Sequence, residues 1–208
     1  MKKTLLASAV GLAALISAFT PRTDKKPSLV NPPAQATTWT TDKAHTNIKF
    51  SVSHLVISDV EGNFKSIEGT MVSAKPDFSD AKISFSVDIA SINTDNENRD
   101  NHLKSPDFFD AAKYPKMTFT STSFVPTGNN KYTLVGNLTI RDVTKPVTFD
   151  VTYGGTANAM GGVHAGFKAT AKIDRFDYNL KWNMATEAGG AVVGKEVDIT
   201  VNVDFKKS

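Results

Sequence analysis

The chain has 208 residues, no cysteine, a formal charge of +3 and a pI near 9.0. That length suits one domain of ordinary size and leaves no room for two, and the missing cysteines exclude disulfides, thiolate nucleophiles and Cys-ligated metals together. The basic excess sits in Lys2, Lys3, Arg22, Lys25 and Lys26, so the remainder carries no nucleic-acid footprint.

From the N-terminus, Lys2 and Lys3 precede an apolar run from Thr4 to Phe19, the order of a secretory signal peptide, so residues 1–20 are expected to direct export to the periplasm or beyond. The run is short for a spanning helix and contains Ser8, Gly11 and Ser17, which favours cleavage over an uncleaved anchor. Ser17 and Ala18 place the cut close to Ala18–Thr20, whereas Ala34-Gln35-Ala36 lies far beyond the apolar run. No cysteine follows, so a lipid-anchored lipoprotein is not expected. Residues 21–37 are rich in proline and poor in apolar side chains, as a tether is. The folded domain is expected over 38–208.

Beyond Trp39 the main signal is period-two alternation broken by Gly, Pro, Asn and Asp, the pattern of half-buried antiparallel strands. Eight runs follow: 48–54, 64–73, 81–89, 117–124, 132–140, 147–153, 163–173 and 197–205. The third alternates Ala81, Ile83, Phe85, Val87 and Ile89 with polar residues, and the last alternates Val197, Ile199, Val201, Val203 and Phe205 with polar ones. One short helical segment is expected within 93–110, between the third and fourth runs, with Thr94 or Asp95 as its cap. Leu103, Phe108 and Phe109 are expected to close one end of the fold.

A sheet wet on one face and apolar on the other must pack on a second layer or close on itself. With so little helix to cover it, an eight-stranded antiparallel β-barrel is the economical solution, because closure also removes exposed edges. A two-sheet sandwich is the competitor. Such a barrel is either filled by its side chains or hollow enough for one ligand. Gly136 in the fifth run and the alanines of the seventh thin the wall and favour the hollow case. The inward positions proposed to line a cavity are Phe50, Val52, His54, Phe85, Val87, Phe119, Leu134, Leu138, Phe149, Val151, Phe167 and Ala169.

Four segments in order, WTTDKAHTNIKFSVSHLVISDVEGNF, INTDNENRDNHLKSPDFFDAAKYPKMTFTS, GNLTIRDVTKPVTFDV and IDRFDYNL, resemble the successive signature blocks of the YceI-like family. Together they span nearly the whole domain. Asp142 and Asn179 stand where that family tends to have glycine, and both types tolerate positive φ in turns. The resemblance implies a lipocalin-like periplasmic or secreted barrel that holds a polyisoprenoid-type or other long amphiphilic lipid, for transport or storage. An apolar isoprenoid-like lipid is the expected partner, no cofactor or nucleic acid is expected, and transient membrane contact and a homodimer are left open. Two other function classes stay open beside this carrier: a small-molecule enzyme on the same scaffold, and a stress-related interaction module with a filled core.

Among residues capable of sharper chemistry, His54 shares the inward parity of Phe50 and Val52, and could meet a ligand head group or simply a neighbour. Arg99 could face an anionic head group, as a guanidinium suits phosphate, or pair with Asp100 and the backbone. His45, His102 and His164 lack metal-ligand spacing, and no G-x-S-x-G sequence occurs, so neither metal nor catalytic residues are expected. The glycine-rich stretch 181–196, with Gly189, Gly190 and Gly194, reads as a rim loop and a lid rather than a phosphate cradle.

Overall fold

The computed structural model describes residues 35–159, 161–185 and 191–208. The signal segment, most of the tether, and Gly189 and Gly190 lie outside the described residues. Strands β1 (Thr37–Thr41) and β2 (Asn47–His54) are two halves of one edge of chain, since both pair antiparallel with β11 (Val193–Lys207). Likewise β3 (Ser58–Phe64) pairs with β2, and β4 (Ile67–Ser73) with β1. Then come β5 (Lys82–Asp88), the two-residue β6 (Ile92–Asn93), helix α1 (Glu97–Lys104), β7 (Lys116–Gly128), β8 (Lys131–Ile140), β9 (Val143–Ala159) and β10 (Gly162–Asp174).

The hydrogen-bonded order β1–β4–β5–β7–β8–β9–β10–β11 returns to β1 through the pairs Trp39↔Lys207 and Thr41↔Phe205. The sheet is therefore a closed eight-stranded antiparallel barrel, not a sandwich. Alternation drives this closure. In β4 the buried Ile67, Gly69, Met71 and Ser73 alternate with exposed Glu68, Thr70 and Val72, and in β8 Tyr132, Leu134, Gly136, Leu138 and Ile140 are all buried. Closure leaves every inward side chain facing other strands across one interior, where each buried large apolar side chain contributes roughly 1.5–3 kcal/mol.

The two ends of the barrel differ. At one, Trp39, Phe78, Phe124, Tyr132 and Phe167 form a packed aromatic floor, with Trp39–Phe78 and Phe78–Phe167 centroids both 5.5 Å apart and Phe124 stacked on Tyr132 at 4.5 Å. At the other lie α1, the β2–β3 turn, the β8–β9 turn and residues 175–185, which follow β10.

Several local expectations needed correction. Helix α1 is capped by Asn96, whose side chain accepts from the Arg99 N–H. Asp95 instead takes a left-handed φ of 56°, and Thr94 is tied up by Asp100. In the β8–β9 turn the positive φ (56°) falls on Arg141, whereas Asn179 adopts φ 60° as its residue type allows.

Candidate functional site

The floor and the α1 end enclose an apolar cavity of about 180 Å³. Phe50 and Val52 from β2, Phe85 and Val87 from β5, Phe119 from β7, Leu134 and Leu138 from β8, Phe149 and Val151 from β9, and Phe167 and Ala169 from β10 all line it. Strand β11 adds Val197, Ile199, Val201, Val203 and Phe205; the same alternation that identified the strand marked these positions, yet they were not among the proposed lining. Leu103, Phe108 and Phe109, just beyond or within the helical segment, cover the α1 end. Among the described residues the accessible wall is wholly apolar.

Three glycines create part of the space. Phe50 lies across from Gly62 and Phe85 across from Gly69 in register, and Phe119 reaches diagonally onto Gly136. A Cβ built on any of the three would overlap the facing phenyl ring. Each ring is therefore folded back against the neighbouring strand instead of projecting into the lumen, an arrangement only a residue without a side chain permits. Met71 and Met117, also in the lining, are the adaptable side chains of this wall.

Neither polar candidate reaches the cavity. His54, expected to point inward, is half-exposed at the end of β2, paired with Ser58, and the lining of β2 ends with Val52. Arg99 does not line the cavity either. Its Nε donates to Thr94 Oγ1 (2.8 Å) and Nη2 to Thr94 O (2.7 Å), while Thr94 Oγ1 donates to buried Asp100 at 2.6 Å, so the cluster secures the start of α1.

The arginine that does border the cavity is Arg175, only 3% exposed. Its guanidinium donates to the carbonyls of Gly194 (2.8 Å), Trp182 (2.8 Å), Val193 (3.1 Å) and Leu180. Burial lowers its pKa, and carbonyl oxygens rather than a carboxylate compensate the charge. Arg175 thus stitches both ends of the 180–194 segment to the barrel. Beside it Tyr178 is buried, which pushes its hydroxyl up to about 12 and keeps it neutral. His102, Phe108 and Trp182 pack edge-on or tilted with centroids 4.9–5.2 Å apart, joining the helical segment to the same loop.

Outside the barrel a polar cluster, missed because its members are far apart in sequence, pins the β1–β2 turn. His164 Nδ1 meets Asp204 at 2.8 Å, His45 Nδ1 meets Asp42 at 3.0 Å, and Asp42, His164 and Asp204 converge within 4.8 Å. Hydrogen bonding to His45 holds the Asp42 carboxyl below its ordinary range, and Asp42 in turn raises His45.

Fold and cavity define a lipocalin-like barrel: closed, antiparallel and hollow, with one greasy compartment. Residues 39–205 match the model of the YceI-like domain. The chain belongs to the YceI-like family. It is 38% identical over 174 residues to a UPF0312 protein of Staphylococcus aureus (strain N315), covering 83% of this chain and 99% of that one. Among solved structures it is similar to the Campylobacter jejuni YceI protein (TM-score 0.65, 36% identity, 80% of this chain and 96% of that one). It also resembles Burkholderia cenocepacia BcnA (TM-score 0.66, 26% identity, 79% and 98%). A Saccharophagus degradans domain described as polyisoprenoid-binding shares the fold at TM-score 0.60 and 15% identity, over 84% and 100%.

Proposed function

We propose that this protein binds one long apolar lipid, an isoprenoid-type chain or fatty amphiphile, inside the barrel, and carries or stores it after export directed by residues 1–20. The observation that carries the reading is the wholly apolar cavity ringed by strands and covered at one end by Leu103, Phe108 and Phe109. Each CH₂ buried there contributes roughly 0.8 kcal/mol, so a hydrocarbon needs no polar anchor for tight binding. Lys49, Thr118 and Arg175 border the wall without presenting polar surface to the lumen, which favours holding over chemistry, since chemistry requires convergent acids, bases or donors. The polyisoprenoid description of the Saccharophagus degradans domain agrees with this reading.

The resting volume of about 180 Å³ exceeds the ~150 Å³ of an apolar cavity that takes up benzene and falls short of the ~300–1,000 Å³ of drug-sized pockets. A long chain therefore enters by parting flexible wall residues, with Met71 and Met117 the first to yield. Purification from the native host, organic extraction and mass spectrometry test the proposal. A stoichiometric apolar lipid is expected. A protein that yields none, and that takes up no apolar dye, refutes it.

A further inference from the structure

The β2–β3 turn combines two features that stability alone does not explain. Ile57 N–H donates to His54 O, and both central residues, Leu55 (φ 54°) and Val56 (φ 65°), are left-handed. Such a turn is relaxed with Asn-Gly, whereas a β-branched residue at positive φ is an outlier. The apolar side chains of this turn are also bare: Val56 is 80%, Ile57 85% and Leu55 40% exposed. Leu55 N–H donates to Val192 O, and Val192 N–H to the carbonyl of Met184, itself exposed. The turn and Met184 therefore flank one another on the rim where Leu103, Leu180 and Val193 border the cavity. Val193, paired with His54, already lines that cavity.

From this juxtaposition we propose that the Leu55–Ile57 turn, with Met184 beside it, is a bilayer-contact tip through which the barrel touches a lipid surface. The inference rests on the cavity being a lipid site, because a ligand nearly insoluble in water must be collected at a membrane. The aromatic floor packs the opposite end, so the tip stands at the end through which a chain would pass. A second copy is the lesser fit. The tip exposes on the order of a few hundred Å² of apolar surface, against about 800 Å² per partner in a stable interface. A bilayer imposes no such minimum, since each apolar group entering the acyl boundary contributes independently.

The cysteine-free chain allows a direct test. Full-length Ile57→Cys and, near the end of β7 at the floor end, Thr127→Cys are each labelled with an environment-sensitive fluorophore and mixed with phosphatidylethanolamine–phosphatidylglycerol vesicles. Expected is a blue shift at position 57 and none at 127, whatever the N-terminal segment does. Leu55→Asn/Val56→Gly is expected to raise Tm by a few °C, because strain is relieved, while weakening the vesicle response at 57 about ten-fold. A silent label at 57, or a response the double variant leaves unchanged, overturns the proposal. So does a blue shift that appears on concentration without vesicles, which marks self-association. Uptake of an apolar dye from solution reports the cavity separately. Dye uptake with a silent tip ends the tip proposal alone, and a responsive tip without dye uptake ends the carrier reading alone.

Discussion

Gly69→Ala is the sharpest probe of how the cavity is made. The new methyl would overlap the Phe85 ring and meet Thr41 Cγ2 at 2.7 Å, and both are side-chain ends, so the ring is the part that moves. It swings off β4 into the lumen, towards Phe205, whose ring centroid is 5.9 Å away. If the shift removes the room for two CH₂ groups of ligand, affinity falls by about 1.6 kcal/mol, or roughly 15-fold. Overpacking itself costs about 1–3 kcal/mol of stability. The assay is equilibrium titration with an apolar dye, alongside urea unfolding, for Gly69→Ala, Phe85→Leu and the double variant. The cycle should show coupling, with Phe85→Leu restoring much of the binding that Gly69→Ala removes. Unchanged dye affinity in Gly69→Ala, or additive losses in the double variant, would refute the idea that the glycine holds the ring out of the cavity.

Arg175→Met removes a guanidinium bonded to the carbonyls of Leu180, Trp182, Val193 and Gly194, leaving buried acceptors unmatched; a loss of about 3 kcal/mol or more in urea unfolding is expected, and a loss under about 1 kcal/mol would contradict the stitching role. The Asp42–His45 pair gives a signed pH dependence. His45 is raised, so its contribution is full below the ordinary 6.5 and is lost as pH rises through the higher folded value. Asp42 is lowered, so its contribution is present above the ordinary 3.8 and is lost as pH falls through the lower folded value. Thermal unfolding of the parent and of His45→Gln at low ionic strength should therefore differ most between these limits and converge above them. A gap that widens as pH rises above the ordinary 6.5 of histidine would reverse the sign.

Strand and face were legible where alternation ran unbroken, as in β5, β8 and β11, because a period of two allows only one assignment of inside and outside. The lining drawn from Phe50 to Ala169 follows from that parity. It failed at His54, where a strand ends before its pattern does: parity says which face a side chain takes, but not whether wall continues beside it. Strand β3 was missed because Gly62 interrupts the apolar alternation of Val60 and Phe64, and that gap is the seat of the Phe50 ring. The α1 cap was misplaced by one or two residues because Thr94, Asp95 and Asn96 are all competent caps. Only the buried Asp100, which claims Thr94, decides among them. Arg175 gave no signal along the chain, since its partners are backbone carbonyls that any sequence supplies. The outer cluster of Asp42, His164 and Asp204 depends on register between distant strands.

The closing seam has a consequence for how this chain comes to be folded. The fifteen residues of β11 follow every other described strand in chain order, yet they supply the partner for β1, for β2 and for β10. Until they arrive, three neighbours present unsatisfied backbone edges and the hoop cannot shut. A nascent chain halted short of Val193 therefore remains an open ribbon, sticky along its borders, and closure waits on β11 rather than progressing strand by strand from β1.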